Sequence, residues 1–568
     1  MNLIRATVLF TAIIAGSISV SAQTSKKTVP KGWHLLDKTD SGFYGISLDK
    51  AYELVKGKQG RTVIVAVIDS GIDTTHEDLR PVLWRNPGEI PGNGIDDDKN
   101  GYVDDIHGWN FLGGKDGRNV KEDSYEAARL YHSWKKRFEN VSDPSKLSET
   151  DRRDYTTWLR AKSETEKGID AQEVFFIKRL LPSFQAGDSI ISKDLKKEEY
   201  DCSDLAKYEA SVREAAMVKQ IMLSICDQNG SNEISNKLLL EEFEGTLRKA
   251  EAVDSAPPNY RGDIVRDNED DINDRNYGNN DVMAGTSMHG THVSGIIAAA
   301  RGNGVGMDGV ADNVRIMALR AVPDGDEHDK DVALAIRYAV DNGARVINMS
   351  FGKSFSPRKQ WVDEAVRYAE SKGVLLVHAA GNDAKNIDTT FNYPSGLLLD
   401  GTRPTNWITV GATGPSGEAK SGGLVASFSN YGKAEVDVFA PGVRIYSTIP
   451  GGNTYGNQQG TSMAAPVVSG LAAFLLSYYP QLSVQHVKFI IEHSSLKPGF
   501  KVSNPETQET VEMASISRTG GIVNALEAVK LAEQVSKGDF KIKTEDVKIK
   551  VKDDKIKIKE EKKATKTF

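Results

Sequence analysis

The sequence predicts an α/β protein in which a central parallel β-sheet is covered by helices on both faces. Unbroken apolar runs of strand length alternate with segments of helical periodicity along much of the chain. Alternation of this kind is typical of parallel sheets built from strand–helix–strand units. Residues 115–254 interrupt the alternation, because they are rich in Glu, Lys, Ala and Leu and predict several consecutive helices.

The predicted strands begin with the buried strand VIVAVID at 63–69. Further apolar runs predict strands over 314–319, 345–351, 373–380 and 407–412, and helical spacing predicts helices over 329–342 and 358–372. In open parallel sheets, catalytic and ligand-binding groups lie at the carboxyl ends of strands. Asp69, the last residue of the first strand, therefore lies where a catalytic group is expected.

Composition and the N-terminus favour a secreted, folded protein. With 568 residues the chain is long enough for two or more domains, and a net charge of -7 argues against nucleic acid as a partner. The first 22 residues have the pattern of a secretory leader: Arg5, an apolar stretch, then small residues ending at Ala22. The alternative is an uncleaved anchor, but the apolar run is shorter than the roughly 20 residues that span a bilayer. We expect cleavage after Ala22, a secreted or periplasmic location and no later transmembrane segment.

The C-terminal segment from Lys537 alternates Lys with Ile or Val. It holds twelve Lys and seven acidic residues, so it carries +5 on a chain that is acidic overall. Three interpretations stay open: a solvated tail, electrostatic contact with an anionic cell envelope, or a terminal hairpin.

Three strings carry the chemistry: VIDSGID at 67–73, HGTHVSG at 289–295 and GTSMAAPVVSG at 460–470. They contain Asp69, His289 and Ser462. A serine hydroxyl is a poor nucleophile at neutral pH, so acyl transfer needs an imidazole to accept its proton and a carboxylate to orient that imidazole. The chain supplies one candidate for each role, although His292 competes with His289 and Ser462 at a helix start could be a plain cap.

These strings resemble the active-site motifs of the subtilase family of serine peptidases, and the resemblance extends through NMSFG at 348–352 and AAGND at 379–383. It implies a subtilisin-like sheet and a secreted endopeptidase. The resemblance implies that Asp69 orients His289, that His289 acts as general base and then as general acid, and that Ser462 attacks the scissile carbonyl. The resemblance also implies that Asn382 and the Ser462 amide stabilise the oxyanion.

The resemblance further implies how a protein or peptide substrate binds. Ser350, Phe351 and Gly352 would pair with an extended substrate strand and form one wall of the first specificity pocket, and Ala379, Ala380 and Gly381 would form another. Lys353 stands where many relatives keep a small residue, so the pocket's size and charge stay open. Only 46 residues separate Gln23 from Asp69, too few for the usual inhibitory prodomain. Either the enzyme folds unaided or the helical segment assists it.

The run IDDDKNGYVDD at 95–105 predicts a structural calcium site. Carboxylate, amide and carbonyl oxygens at alternate positions, with Gly101 at the turn, follow the order of a calcium-binding loop. The predicted ligands are Asp96, Asp98, Asn100, the carbonyl of Tyr102, and Asp104. Position 12 is His107 rather than Glu, so a further ligand must come from elsewhere, with Asp105 as a candidate. A solvated acidic turn is the alternative, and the acidic run at 267–274 is a weaker calcium candidate.

The predicted organisation has five parts: a leader at 1–22, an N-terminal segment at 23–50, a catalytic domain at 51–114 and 255–530, a helical insertion at 115–254, and a tail at 531–568. The insertion is expected to contain helices over 122–140, 170–181, 203–223 and 232–251. It is either a solvated unit beside the sheet or a substrate-selecting lid, since Asp69 and His289 flank it. Its Cys202 and Cys226 either pair or stay free thiols. A binding protein that keeps this fold without turnover is the alternative function.

Overall fold

The computed structural model describes residues 29–167, 170–197, 199–229, 234–285, 287–415 and 423–538, together with two short strands near the C-terminus. The expected leader at 1–22 and most of the basic tail lie outside the described residues. The described part of the tail contains the end of the last helix and a two-stranded antiparallel pair. The interpretations as a solvated tail and as an electrostatic contact with an anionic envelope stay predictions.

The core is a seven-stranded parallel sheet, which confirms the expected fold class. Its strands in chain order are β1 (Val63–Asp69), β2 (Gly108–Asn110), β3 (Val314–Arg320), β4 (Val346–Met349), β5 (Leu375–Ala379), β6 (Trp407–Thr413) and β7 (Val438–Pro441). Their order across the sheet is β2-β3-β1-β4-β5-β6-β7, and all neighbours are parallel. The sequence did not predict β2 and β7, because runs this short carry no readable periodicity.

Short antiparallel strand pairs lie outside this sheet. They are β8 (Ile445–Ile449) with β9 (Thr454–Gln458), β10 (Val502–Ser503) with β11 (Thr510–Val511), and β12 (Lys550–Lys552) with β13 (Lys555–Lys557).

The described helices are distributed before, between and after the strands of the sheet. In chain order they are α1 (Lys38–Ser41), α2 (Leu48–Val55), α3 (Glu126–Phe138), α4 (Glu149–Lys167), α5 (Ala171–Leu195), α6 (Cys202–Lys207), α7 (Arg213–Asn229), α8 (Asn236–Asp254), α9 (Met288–Ala298), α10 (Asp329–Asp341), α11 (Lys359–Ser371), α12 (Thr461–Tyr478), α13 (Val484–His493) and α14 (Ala525–Ser536).

Each face of the sheet has its own apolar core. In β1, Val65 and Val67 point into the core that contains α9 and α12, whereas Ala66 and Ile68 point into the core that contains α10 and α11. Side chains alternate between the two faces of a strand, and both faces here are covered, so every position of the strand interior must be apolar. This explains the unbroken run VIVAVID.

Six helices, α3 to α8, fill residues 126–254, which we call the helical region. Its sequence-predicted helices are right in kind but differ in number and bounds. Helix α4 was missed, the predicted helix 203–223 is two helices, and α5 continues through Pro182 instead of ending at 181. Proline usually breaks a helix, but Leu180 and Phe184 on either side of it are buried in one cluster, so packing sustains the helix. The domain boundaries themselves stay a prediction.

Cys202 and Cys226 form a disulfide within the helical region, 24 residues apart in sequence. The bond joins α6 to α7 in a cluster that also contains Phe184 and Met222. The expectation that the two cysteines either pair or stay free is therefore settled in favour of pairing.

One helix among the described residues, α12, has the length and apolar composition that could cross a membrane. Of its residues, 89% are buried inside the fold, which is the position of a core helix. Its first turn carries Ser462, and its body packs across β4, β5 and β6.

Candidate active site

Asp69 and His289 meet at the carboxyl end of β1. The Nδ1 atom of His289 donates to Oδ1 of Asp69 at 2.7 Å, because a carboxylate can only accept. The Asp69 side chain is 2% exposed and that of His289 is 37% exposed, so the carboxylate is buried while the imidazole edge reaches the surface. Gly290 makes the approach possible, since a Cβ there would lie 2.2 Å from the Gly71 carbonyl oxygen. The arrangement fixes the tautomer of His289 and leaves Nε2 for a substrate or nucleophile.

The charge state of His289 is set by opposing effects. Burial lowers its pKa, but the Asp69 carboxylate and, more weakly, Glu241 of α8 outweigh burial and raise the pKa above its ordinary value. The competing candidate, His292, is fully buried beside the carbonyl of Gly456, and burial lowers its pKa to about 3. His292 therefore stays neutral and has a packing role.

Ser462 is the second residue of α12. Its Oγ donates to the carbonyl of Ser350 at 3.0 Å, and Ser350 Oγ donates back to the Ser462 carbonyl at 2.9 Å. Within the described residues Ser462 forms no hydrogen bond to His289. Catalytic hydrogen bonds are often absent before substrate binds, so the missing bond does not exclude Ser462 as the nucleophile. Helices α9 and α12 pack together and carry both side chains at their first turns.

Two N–H donors border one small space beside Ser462. Gly460, with φ of +151°, precedes α12, and a Cβ there would lie 3.4 Å from Asn382 Nδ2 and 3.6 Å from the Ser462 nitrogen. The Asn382 side-chain oxygen is fixed by Thr461, whose N–H donates to it at 2.9 Å, so the amide nitrogen points away. No hydrogen bond of the Ser462 N–H is formed within the described residues. This is the donor pair that an oxyanion requires.

The segment Ser350–Gly352 follows β4 and lies directly against the nucleophile. It has no regular secondary structure, and Gly352 is exposed. His378 Nε2 donates to the Phe351 carbonyl at 2.9 Å, and burial lowers the pKa of His378 to about 4, so the ring is a neutral donor. Sequence reasoning missed His378, because a histidine inside an apolar strand gives no signal of its partner.

The other predicted wall, Ala379–Gly381, ends β5 beside the first. Asn392 and Asn430 both donate to the carbonyl of Ala380, at 3.1 and 2.9 Å. Gly381 has φ of +96°, and a Cβ there would lie 2.4 Å from Asn430 Nδ2, so this bend requires glycine. The structure brings both walls to the edge of the sheet that holds Ser462.

Lys353 does not charge the surface beside Gly352. Its side chain is 1% exposed, and its ammonium group lies 2.9 Å from carboxylates of both Glu126 and Asp329. Glu126 is the first residue of α3, so this ion pair joins the helical region to the segment that follows Gly352. Sequence reasoning could not have found the pair, because 227 residues separate its members.

The acidic loop after residue 95 gathers only some of its predicted metal ligands. Carboxylate oxygens of Glu89, Asp96 and Asp98 lie within 4.8 Å of one another, and Glu89 was not predicted. Asp104 instead accepts the N–H groups of Gly92, Asn93 and Gly94. Two further candidates have partners within the protein: Asn100 Oδ1 accepts the N–H of Tyr102, and Asp105 accepts from Asn86 and Tyr338. The predicted role of the Tyr102 carbonyl stays a prediction. Hard carboxylate donors at this spacing fit calcium.

The second acidic run, 267–274, is organised by cations of the protein itself. Asp267 pairs with buried Arg261 and Lys330, at 3.1 and 2.7 Å, and Asp270 pairs with Arg358. These contacts give Asp267 and Asp270 cationic partners within the protein, and the weaker calcium candidate stays a prediction.

A hydrogen-bonded Asp–His pair at a strand end, with a serine at the first turn of a helix that packs on the histidine's helix, is compatible with the arrangement of serine hydrolases. The chain belongs to the subtilase family, because a model of the peptidase S8 subtilase family matches residues 60–521.

Curated relatives share part of the chain. A thermophilic serine proteinase of a Bacillus species is 42% identical over 226 residues, 40% of this chain and 50% of that protein. Subtilisin DY of Bacillus licheniformis is 41% identical over 204 residues, 35% of this chain and 67% of that protein. The chain spans about half the length of several curated relatives that it matches. A solved protease structure from Pseudoalteromonas arctica covers 88% of this chain and 96% of its own, at 20% identity and a TM-score of 0.44.

Proposed function

We propose that the protein is a serine endopeptidase that hydrolyses peptide bonds through an acyl-enzyme on Ser462. The observation that carries the proposal is the 2.7 Å hydrogen bond between the buried Asp69 and His289, which lies on a helix that packs against the helix whose first turn carries Ser462. Membership of the subtilase family supports it.

In the proposed reaction, His289 Nε2 accepts the proton of Ser462 Oγ as that oxygen attacks the scissile carbonyl. The resulting oxyanion accepts hydrogen bonds from the Ser462 N–H and Asn382 Nδ2. His289 then donates its proton to the leaving amine, and a water repeats the sequence to release the acid. Asp69 keeps the imidazole oriented and stabilises its charged form throughout.

The substrate of this reaction is a protein or peptide bound as an extended strand. Ser350, the first residue of Ser350–Gly352, is hydrogen-bonded to Ser462, and main-chain pairing with an extended peptide tolerates many side-chain sequences. Ala379–Gly381 would then face the residue that precedes the scissile bond.

Two further properties belong to the same proposal. The leader and the family resemblance support secretion to the periplasm or the exterior, where the Cys202–Cys226 disulfide is stable. The basic tail would contact anionic envelope surfaces. Glu89, Asp96 and Asp98 would hold a structural Ca²⁺, which would tie the loop to the body of the protein and take no part in bond cleavage.

Active-site labelling tests the proposal. Wild-type protein should react with a fluorophosphonate probe and degrade casein, and Ser462→Ala should do neither. Ser469→Ala is the control, because Ser469 lies two turns further along α12 and donates to Asn348 in the core. Labelling that persists in Ser462→Ala would refute the assignment, and casein binding without cleavage by the wild type would favour a binding protein.

A further inference from the structure

The helical region contacts the chain directly after Ser350–Gly352, the segment proposed to pair with substrate. Lys353 follows Gly352, and its buried ammonium group is held by Glu126 of α3, by Asp329 and by the carbonyl of Glu327. Burial opposes the charged form of Lys353, but the carboxylates of Asp329 and Glu126 outweigh it and raise its pKa. Lys353 therefore stays charged, and its position depends on α3, which carries Glu126, and on α10, which carries Asp329.

A second contact comes from α4. Arg160 Nη2 donates to the Ser354 carbonyl at 2.9 Å, and its guanidinium lies over the ring of Phe355 at 4.3 Å. Phe355 is 1% exposed and belongs to a cluster otherwise made of α3 and α4 residues, including Leu130 and Trp158. The core chain thus contributes its own aromatic side chain to the interior of the helical region.

The same arginine reaches the loop that joins the two walls of the pocket. Its guanidinium lies 3.8 Å from the ring centre of Phe391, in the loop 391–393. In that loop, Asn392 donates to Ala380 of one wall, and a Cβ at Gly352 of the other wall would lie 3.0 Å from Asn392 Oδ1. Tyr393 exchanges two main-chain hydrogen bonds with Lys353, each 2.9 Å. One side chain of α4 therefore contacts both the segment that follows one wall and the loop that contacts both walls.

We propose that Glu126 and Arg160 are positioning residues for substrate binding, so that α3 and α4 are a fixed part of the peptide-binding cleft rather than a separate unit or a moving lid. This rests on the proposed peptidase function. Neither residue touches the reacting atoms. Both hold Lys353–Phe355 and the loop 391–393, and through them they set the geometry in which Ser350–Gly352 pairs with an extended peptide.

The test compares an extended substrate with a short one. Arg160→Met and Glu126→Gln are assayed with a tetrapeptide amide, which needs the pairing segment, and with a single-residue ester, which needs only the triad. We expect KM for the amide to rise about tenfold, a loss of pairing comparable to one or two hydrogen bonds, while ester kinetics and fluorophosphonate labelling stay unchanged. Arg137→Gln is the matched control, since Arg137 joins α3 to Asp154 of α4 at the surface, away from residues 350–355.

The possible results are distinct. Equal losses on the amide and the ester would mean that the variants disturb the triad, and would overturn the inference. A lower Tm with unchanged KM would overturn it too, because the contacts would then serve stability alone.

Failure of the peptidase function would show in the wild type as absent labelling. Amide hydrogen exchange at Lys353, whose N–H is bonded to Tyr393, then decides, because faster exchange in Arg160→Met supports the positioning role and unchanged exchange refutes it.

Discussion

The parallel sheet and the helical region are held in place by different forces. In the sheet, Val65, Ala66, Val67 and Ile68 of β1 are fully buried apolar side chains that alternate between the two faces. His34, His292 and His378 are buried in the same body, and burial lowers their pKa values. The helical region meets that body through buried ion pairs as well as apolar packing. Arg129 of α3 pairs with Asp123, Lys353 pairs with Glu126 of α3, and Arg248 of α8 pairs with Asp324, while Phe355 packs into the α3–α4 cluster.

Because of this difference, the catalytic residues lie in the part of the molecule held by apolar burial, and the contacts that can be altered lie in the helical region. Apolar burial is non-directional and needs no matched partner, so the sheet edge that carries Asp69 stays fixed under many conditions. A buried ion pair depends on its geometry, and losing one partner leaves an uncompensated charge. The helical region can therefore be altered at its contacts without altering the triad, and the predictions below measure how far that separation goes.

The largest effect should come from the triad itself. Asp69→Asn keeps the shape of the side chain but favours the wrong tautomer of His289, so we expect kcat to fall about 10⁴-fold with little change in Tm. Asp73→Asn is the control in the same string, because Asp73 caps Thr75 and does not contact His289. Steady-state kinetics on a peptide amide measures both. A loss below tenfold for Asp69→Asn would show that the sheet edge does not carry the chemistry.

Next in size is the disulfide of the helical region. Replacing Cys202 and Cys226 by Ser removes a cross-link between residues 24 apart, which should lower the stability of α5–α7 by about 3 kcal/mol. Hydrogen exchange should rise in these helices and not in β1 or β4, and labelling of Ser462 should be unchanged. If the sheet strands exchange faster to the same extent, the two regions unfold as one unit and the comparison fails.

How much the sequence could predict follows the same division. Five of the seven sheet strands were predictable, because burial on both faces forces unbroken apolar runs. The motifs also predicted that Asp69 and His289 meet, which the structure shows as a hydrogen bond, whereas the catalytic roles of Asp69, His289 and Ser462 stay predictions. The helical region was predicted only as helices. Its bounds depend on tertiary packing, as at Pro182, and its contacts join residues such as Glu126 and Lys353 that are distant in sequence.

The calcium loop shows the same limit within the core. The alternating acidic pattern placed Asp96 and Asp98 correctly beside each other, whereas Glu89 comes from seven residues before Asp96 and outside the pattern. Asp104 fits the pattern but holds three main-chain N–H groups. Glu89 also accepts three main-chain N–H groups, so these bonds do not separate the two residues; the carboxylate oxygens that lie within 4.8 Å of one another belong to Glu89, Asp96 and Asp98.

Calcium should stabilise the body of the protein and leave the helical region unaffected. Saturating Ca²⁺, at about 100 times its Kd, should add about 2.7 kcal/mol and raise Tm, and a chelator should reverse the change. Asp96→Asn should abolish the response, while Asp271→Asn, in the other acidic run, should keep it. A Tm that ignores chelator in the wild type would remove the metal site from the proposal.

The smallest effect concerns the electrostatic influence of Glu241, in the helical region, on the pKa of His289. Burial lowers the pKa of His289, and Asp69 and Glu241 raise it above 6.5 in sum. The general base must be neutral, so the acid limb of kcat/KM should lie above pH 6.5. Glu241→Gln removes a negative charge that favours the protonated ring, so the limb should move to lower pH. Burial raises the pKa of Glu241 itself to about 7, so its influence grows as pH rises through that value.

The control for this prediction is Glu244→Gln, on the same helix, whose carboxylate accepts from Gln185 of α5. It removes the same charge from α8 but not beside His289, so its acid limb should match the wild type. If both variants shift the limb equally, the effect is that of net charge and should disappear at high ionic strength. An acid limb that moves only in Glu241→Gln would mean that the helical region, although it is a separate packing unit joined to the body by ion pairs, influences the pH at which the triad works.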